Sequence, residues 1–164
     1  MTETRPARVS PRVAWVRALA IAAVVVILDR VTKHLVVTGI AVGDVHQLLP
    51  GVQLVDDRNS GVAFSFLSGG GPLVLILTLV ALAALLAYFA RHAGRPWLWL
   101  PTGLLVGGAV GNLIDRLASG SVTDFIKLPH WPAFNVSDMA ITFGVIALVL
   151  LLDGPRRRQG AGGG

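Results

Sequence analysis

The 164-residue chain has no cysteine. That absence excludes disulfides, thiolate metal sites and a cysteine nucleophile together. Charge is also scarce: Asp, Glu, Lys and Arg make up 14% of the residues, where a soluble domain carries about a quarter. None of the seven serines lies in a GxSxG elbow, and no His and acid stand in triad order. There is no HExxH and no paired-His helix spacing to hold a metal, which leaves His46 and His130 as isolated side chains. What fills the chain instead is apolar: 54% of residues are hydrophobic and the mean hydropathy is +0.70. These values imply one integral-membrane domain with no room for a second large one. The formal net charge of +5 does not point to nucleic acid, because the arginines lie beside apolar runs, where they orient a membrane protein.

Crossing about 30 Å of hydrocarbon takes about 20 mainly apolar residues. Four segments qualify: Val13 to Val37, Pro72 to Ala90, Trp97 to Leu117 and Val136 to Leu152. They lack strand alternation, so the sequence predicts four transmembrane helices. Arg12 and Arg17 followed by an apolar core give the first segment a likeness to a cleaved signal peptide. However, ALA is followed by IAAVVVIL and not by a polar mature start, so a retained span is expected. The membrane domain is placed at residues 13–152, between polar tails at 1–12 and 153–164.

Arg5, Arg8, Arg12 and Arg17, then Arg91 and Arg95, then Arg156 to Arg158 fall at span ends on one side. That side is assigned to the cytoplasm, with both termini inside. The other side receives two longer connections, residues 38–71 and 118–135. In the first, VQLV and VAFSF flank Asp56-Asp57-Arg58-Asn59-Ser60-Gly61, which reads as strand, turn, strand, in a small sheet at the outer surface. Residues 68–72 read as a flexible hinge into the second span.

Seven of the nine acidic residues fall at the outer level; only Glu3 and Asp153 lie inside. Asp29 and Lys33 are four apart and share a helix face. Gly107, Gly108 and Gly111 permit close helix approach, and Asn112, Asp115 and Arg116 follow within about one turn. In a compact bundle these two clusters meet. Asp124 lies in a short extended piece, SVTDFIKL. Asp138 lies in the first turn of the fourth span behind Asn135, a capping residue. Plain structural roles exist for both: a partner of Arg116 or Lys127 for Asp124, and a helix-dipole acid for Asp138. The chemical alternative is a carboxylate pair, with KLPHWPAF folding the chain back between them. Two carboxyls in one site cannot both ionise cheaply, so one keeps its proton. The ionised one then takes a proton from water while the neutral one hydrogen-bonds a scissile carbonyl.

Five boxes in order carry a resemblance. They are Asp29-Arg30-Val31-Thr32-Lys33; Asn59-Ser60-Gly61-Val62-Ala63-Phe64; Gly111-Asn112-Leu113-Ile114-Asp115-Arg116; Val122-Thr123-Asp124-Phe125; and Phe134-Asn135-Val136-Ser137-Asp138. Together they resemble the bacterial lipoprotein signal peptidases (signal peptidase II), over residues 13–152. Ser137 stands where alanine is common in that family. The resemblance implies four transmembrane helices with a small sheet cradle on the outer face, in the cytoplasmic membrane. It implies an aspartic endopeptidase with Asp124 and Asp138 as its dyad and no cofactor or metal. Asp29, Lys33, Asn59, Gly61, Asn112, Asp115, Arg116 and Asn135 match the positions that surround it, with Arg116 a candidate to hold substrate carbonyls. The implied substrate is a prolipoprotein whose lipobox cysteine carries diacylglycerol, cut just before that cysteine. The other expected partner is membrane lipid, and the chain is expected to act as a monomer. Two other classes make different demands. A proton-coupled transporter needs acids spread through the bilayer depth, and a scaffold tolerates Asn at both aspartates.

Overall fold

The computed structural model describes residues 9–60 and 70–153. Gly61, the segment Val62 to Phe66, and Ser68 and Gly69 of the expected hinge lie outside them. Gly70, Gly71 and Pro72, expected as hinge, are instead the first residues of a helix. Four helices form: α1 (Pro11–Gly39), α2 (Gly70–His92), α3 (Trp99–Ser119) and α4 (Val136–Asp153). Pro11 starts α1, where its fixed φ suits the first helical turn and its missing N–H costs nothing. Gly120 ends α3 in the left-handed region at φ 74°, its N–H reaching Arg116 O at 3.0 Å. Each helix lies within two residues of its expected span.

Three of the four, α1, α2 from Pro72, and α4, are long and apolar enough to cross a membrane. α3, expected as the fourth such span, falls short of that apolarity. Its 21 residues include Gly107, Gly108, Gly111, Asn112 and Asp115, all buried, so it is less apolar overall. The reason is its place: α3 is the central helix, packed on α1 and α4 and less extensively on α2. It has little surface that must be greasy. The other helices turn Val16, Leu19, Ile27, Leu77, Val80, Phe143 and Leu150 outward. This is the inverse of a soluble bundle, and the chain is a multi-pass membrane protein.

The helix contacts are built on small residues. A Cβ added at Gly103 would lie 2.7 Å from Ala18 O, and one at Gly107 2.7 Å from Val25 Cβ. At Gly108 it would lie 2.5 Å from Ser137 O. Without directional help from water, such close backbone packing is what holds membrane helices together.

The three strands β1 (Val45–Leu49), β2 (Val52–Asn59) and β3 (Val122–Lys127) form an antiparallel sheet in that order. The expected turn at residues 56–61 is not where the chain reverses. Pro50 and Gly51 make the hairpin turn, with Gly51 at φ 79°. β2 instead runs through Asp56, Asp57 and Arg58 to Asn59. Two contacts hold the polar stretch in the ladder: Arg58 Nε pairs with Asp56 at 2.8 Å, and Arg58 Nη1 donates to Thr123 Oγ1 at 3.1 Å. The sheet lies at the end of the bundle where α1 and α3 finish and α4 begins.

Candidate active site

Asp29 and Lys33 point from one face of α1 into the bundle and are 0% and 2% exposed. The Lys33 ammonium has three donors and three partners: Asp29 Oδ2 at 2.7 Å, Asp115 Oδ2 at 2.8 Å and Asn112 Oδ1 at 3.2 Å. Asp29 Oδ1 accepts the Ser137 N–H at 3.0 Å, satisfying a free amide at the start of α4. Asp115 Oδ2 also accepts the Thr123 N–H at 3.3 Å, and its Oδ1 pairs with Arg30. Two acids and two bases therefore neutralise one another among α1, α3, α4 and β3, as buried charge in a membrane requires. The expected convergence of the two polar clusters is present.

The reversal between β3 and α4 is set by the backbone. Phe125 and Ile126 both donate to Phe134 O, at 3.0 and 2.9 Å, and Phe134 donates back to Ile126 O at 3.0 Å. This brings Asn135 beside Asp124. Asn135 caps α4, its Oδ1 accepting the Asp138 N–H at 2.9 Å. Asp138 Oδ2 accepts the Asn135 N–H in return at 3.2 Å, a reciprocal capping box. The expected cap role of Asn135 and helix-start role of Asp138 both hold. Neither prevents Asp138 from facing the site, because its Oδ1 accepts from Asn112 Nδ2 at 2.8 Å.

Asp124 is buried and has neither Arg116 nor Lys127 as an ion-pair partner. Its Oδ2 accepts from Asn59 Nδ2 at 2.9 Å and its Oδ1 from Asn135 Nδ2 at 2.7 Å. Asn135 also donates to Asn112 Oδ1 at 3.1 Å. Two asparagines thus link Asp124 to Asp138, and among the described residues no Lys or Arg forms an ion pair with either carboxylate. Burial, and after it the nearby charge of Asp138, raises Asp124 from 3.8 to about 6; the amides of Asn59 and Asn135 and the charge of Lys33 oppose the rise. The site is chemically a pair of neighbouring carboxyls, of which Asp124 is held above the ordinary carboxylate range.

Arg116 is half-buried, with its Nη1 donating weakly to Asn112 O at 3.4 Å. It makes no ion pair among the described residues. The Arg30 pairing with Asp115 has no counterpart among the site residues expected from the sequence. The spacing Asp29-Arg30 carries no hint of it, since the two partners are 85 positions apart.

The chain matches the family model described as signal peptidase (SPase) II over residues 21–152. It is 42% identical over 140 residues to the lipoprotein signal peptidase of Syntrophomonas wolfei, covering 84% of this chain and 94% of that one. It is 37% identical over 169 residues to that of Paraburkholderia phytofirmans, covering 98% and 97%. Among solved structures, a bacterial membrane enzyme determined by the in meso method at 1.9 Å superposes with a TM-score of 0.78 at 35% identity, covering 82% of this chain and 91% of that one. These matches give the transporter alternative no support.

Proposed function

Since this chain belongs to the signal peptidase II family and is a protease, we propose that it cuts diacylglyceryl-modified prolipoproteins just before the lipidated cysteine, using Asp124 and Asp138. The observation that supports this reading is the asparagine-linked pair of Asp124 and Asp138, with no cation paired directly to either among the described residues. Asp124 holds the shared proton and hydrogen-bonds the scissile carbonyl. Asp138, at the positive end of α4, carries the charge and removes a proton from the attacking water. Water oxygen bonds the carbonyl carbon as its proton passes to Asp138, and the carbonyl oxygen takes the Asp124 proton to give a gem-diol. The C–N bond then breaks as Asp138 protonates the leaving amine nitrogen and a gem-diol hydroxyl returns its proton to Asp124. Asn112 and Asn135 hold the carboxyls in place, and Arg116 holds a substrate backbone carbonyl. This division of labour uses no metal, so a chelator leaves cleavage unchanged.

All four helices cross the bilayer in this reading; α3, at about 1.5 Å per residue, is about 30 Å long. Arginine placement puts both termini in the cytoplasm, and the sheet and dyad near the outer face of the bacterial cytoplasmic membrane. There the dyad meets water and a lipid-anchored peptide at once. A single chain supplies the whole site, with the substrate and bilayer lipid as partners. The test is cleavage of a diacylated prolipoprotein by purified wild type, Asp124→Asn and Asp138→Asn. Either substitution lowers turnover at least about a thousandfold while the helical content stays. Substantial cleavage by either variant defeats the dyad assignment.

A further inference from the structure

At the end of the bundle opposite the sheet, a cleft of about 530 Å³ opens between α2 and α4, floored by α3. On α2 it is lined by Thr78, Ala81, Leu82, Leu85 and Tyr88. That spacing of three and four residues is one helix face, and its next positions are Arg91 and His92. The greasy stripe therefore runs directly into a cation and an imidazole. Arg95 closes the same corner: its Nη1 donates to Tyr88 Oη at 3.4 Å and its Nη2 to Leu151 O at 2.8 Å. The Tyr88 ring stacks on His92 with centroids 4.4 Å apart. Arg91 is exposed and has no hydrogen-bond or ion-pair partner among the described residues. Trp97, at φ 64°, is 59% exposed beside this corner and tilted on Trp99.

Length and charge decide what fits. From Thr78 to Tyr88 the cleft runs ten residues, about 15 Å, or half the hydrocarbon thickness. It ends at mid-membrane, short of what a spanning helix needs. Its apolar stripe continues into the exposed cation of Arg91, which suits a hydrocarbon tail with an anionic head. We propose that it holds one acyl chain of an anionic phospholipid from the leaflet at the α2–α3 end. The phosphate sits against Arg91 and His92, and the exposed Trp97 lies at headgroup depth. This inference needs only that the chain is embedded in a bilayer and stands apart from the assignment of the dyad.

The test is native mass spectrometry of the full chain in detergent with palmitoyl-oleoyl phosphatidylglycerol or phosphatidylcholine. Wild type retains one phosphatidylglycerol in preference to phosphatidylcholine. Arg91→Gln, which breaks no contact in the bundle, reduces that preference about fivefold. Ala81→Trp, filling the cleft, lowers retention of both lipids with the melting temperature held. Inorganic phosphate does not displace the lipid, and a photocrosslinker at residue 81 captures lipid. Equal retention of the two lipids, an unchanged preference in Arg91→Gln or after Ala81→Trp, displacement by phosphate alone, or capture of a signal peptide by the crosslinker each overturns the proposal.

Discussion

At the sheet end of the bundle Asp29, Lys33 and Asp115 are each at most 5% exposed and bonded in fixed geometry. At the opposite end Arg91 and His92 are exposed, and Arg17 lies 5.3 Å over the Trp99 ring. The two ends differ in what their charges are for. Charge at the far end stays in the headgroup layer, where water and lipid phosphate solvate it, and a substitution there shifts a lipid preference. Charge at the sheet end has been withdrawn from water and is tolerable only as a complete set. Such a set resists change, and it fixes α1, α3, β3 and α4 around Asp124 and Asp138 more tightly than apolar contacts in lipid can.

The contrast breaks most sharply at Lys33. Lys33→Met leaves Asp29 and Asp115 facing each other with only Arg30 to offset them, and is expected to cost about 3–5 kcal/mol of stability. Thermal unfolding in detergent measures it. A pair of glycines gives a smaller effect with a built-in control. An alanine Cβ at Gly111 falls 2.9 Å from Asp29 Oδ2 and closer still to the Ser137 hydroxyl, while one at Gly94 meets only Val9 O at 3.6 Å. Gly111→Ala is therefore expected to lose about 1–3 kcal/mol, and Gly94→Ala to leave the melting temperature in place.

Asp124 provides a change of opposite sign. Its carboxyl is raised from 3.8 to about 6 in the folded chain. Its contribution to stability is thus full below about pH 4 and is lost as pH rises through about 6. Asp124→Asn removes that loss, so the variant is expected to be about 1–2 kcal/mol more stable than wild type at pH 7, with the gap closing towards pH 4. Melting curves across that range check the sign. Smallest is Ser137→Ala. The Ser137 hydroxyl is buried without a hydrogen-bond partner among the described residues, so its removal is expected to be neutral or to stabilise by up to about 1 kcal/mol.

Much of this was legible in the sequence because it is local. Apolar runs of span length bounded α1, α2 and α4 to within two residues. The Asp29–Lys33 pair follows from four-residue helix spacing, and the Asn135 cap from its place before an apolar run. What escaped depends on pairing between distant segments. Asp56-Asp57-Arg58 has the composition of a turn but lies in β2, where Arg58 pairs with Asp56 along the strand and bonds Thr123 across the ladder. The partners of Asp124 are amides brought in by β2 and by the Phe134 bridge, and no local pattern names them. Arg30 reaches Asp115 only once α1 and α3 are packed through their small residues. The glycines of α3 were visible. That they would make α3 the central helix required knowing which helices flank it.

The central claim is that Asp124, raised to about 6 by burial and by the nearby charge of Asp138, works with Asp138 as one catalytic pair. The most direct measurement is the pH dependence of kcat/KM for a diacylated prolipoprotein, which reports the free enzyme's essential groups. Cleavage is predicted to fall on the alkaline side with an apparent pKa of about 6. The same profile is predicted with and without a metal chelator. Full activity maintained from pH 5 to about pH 8 would contradict the account.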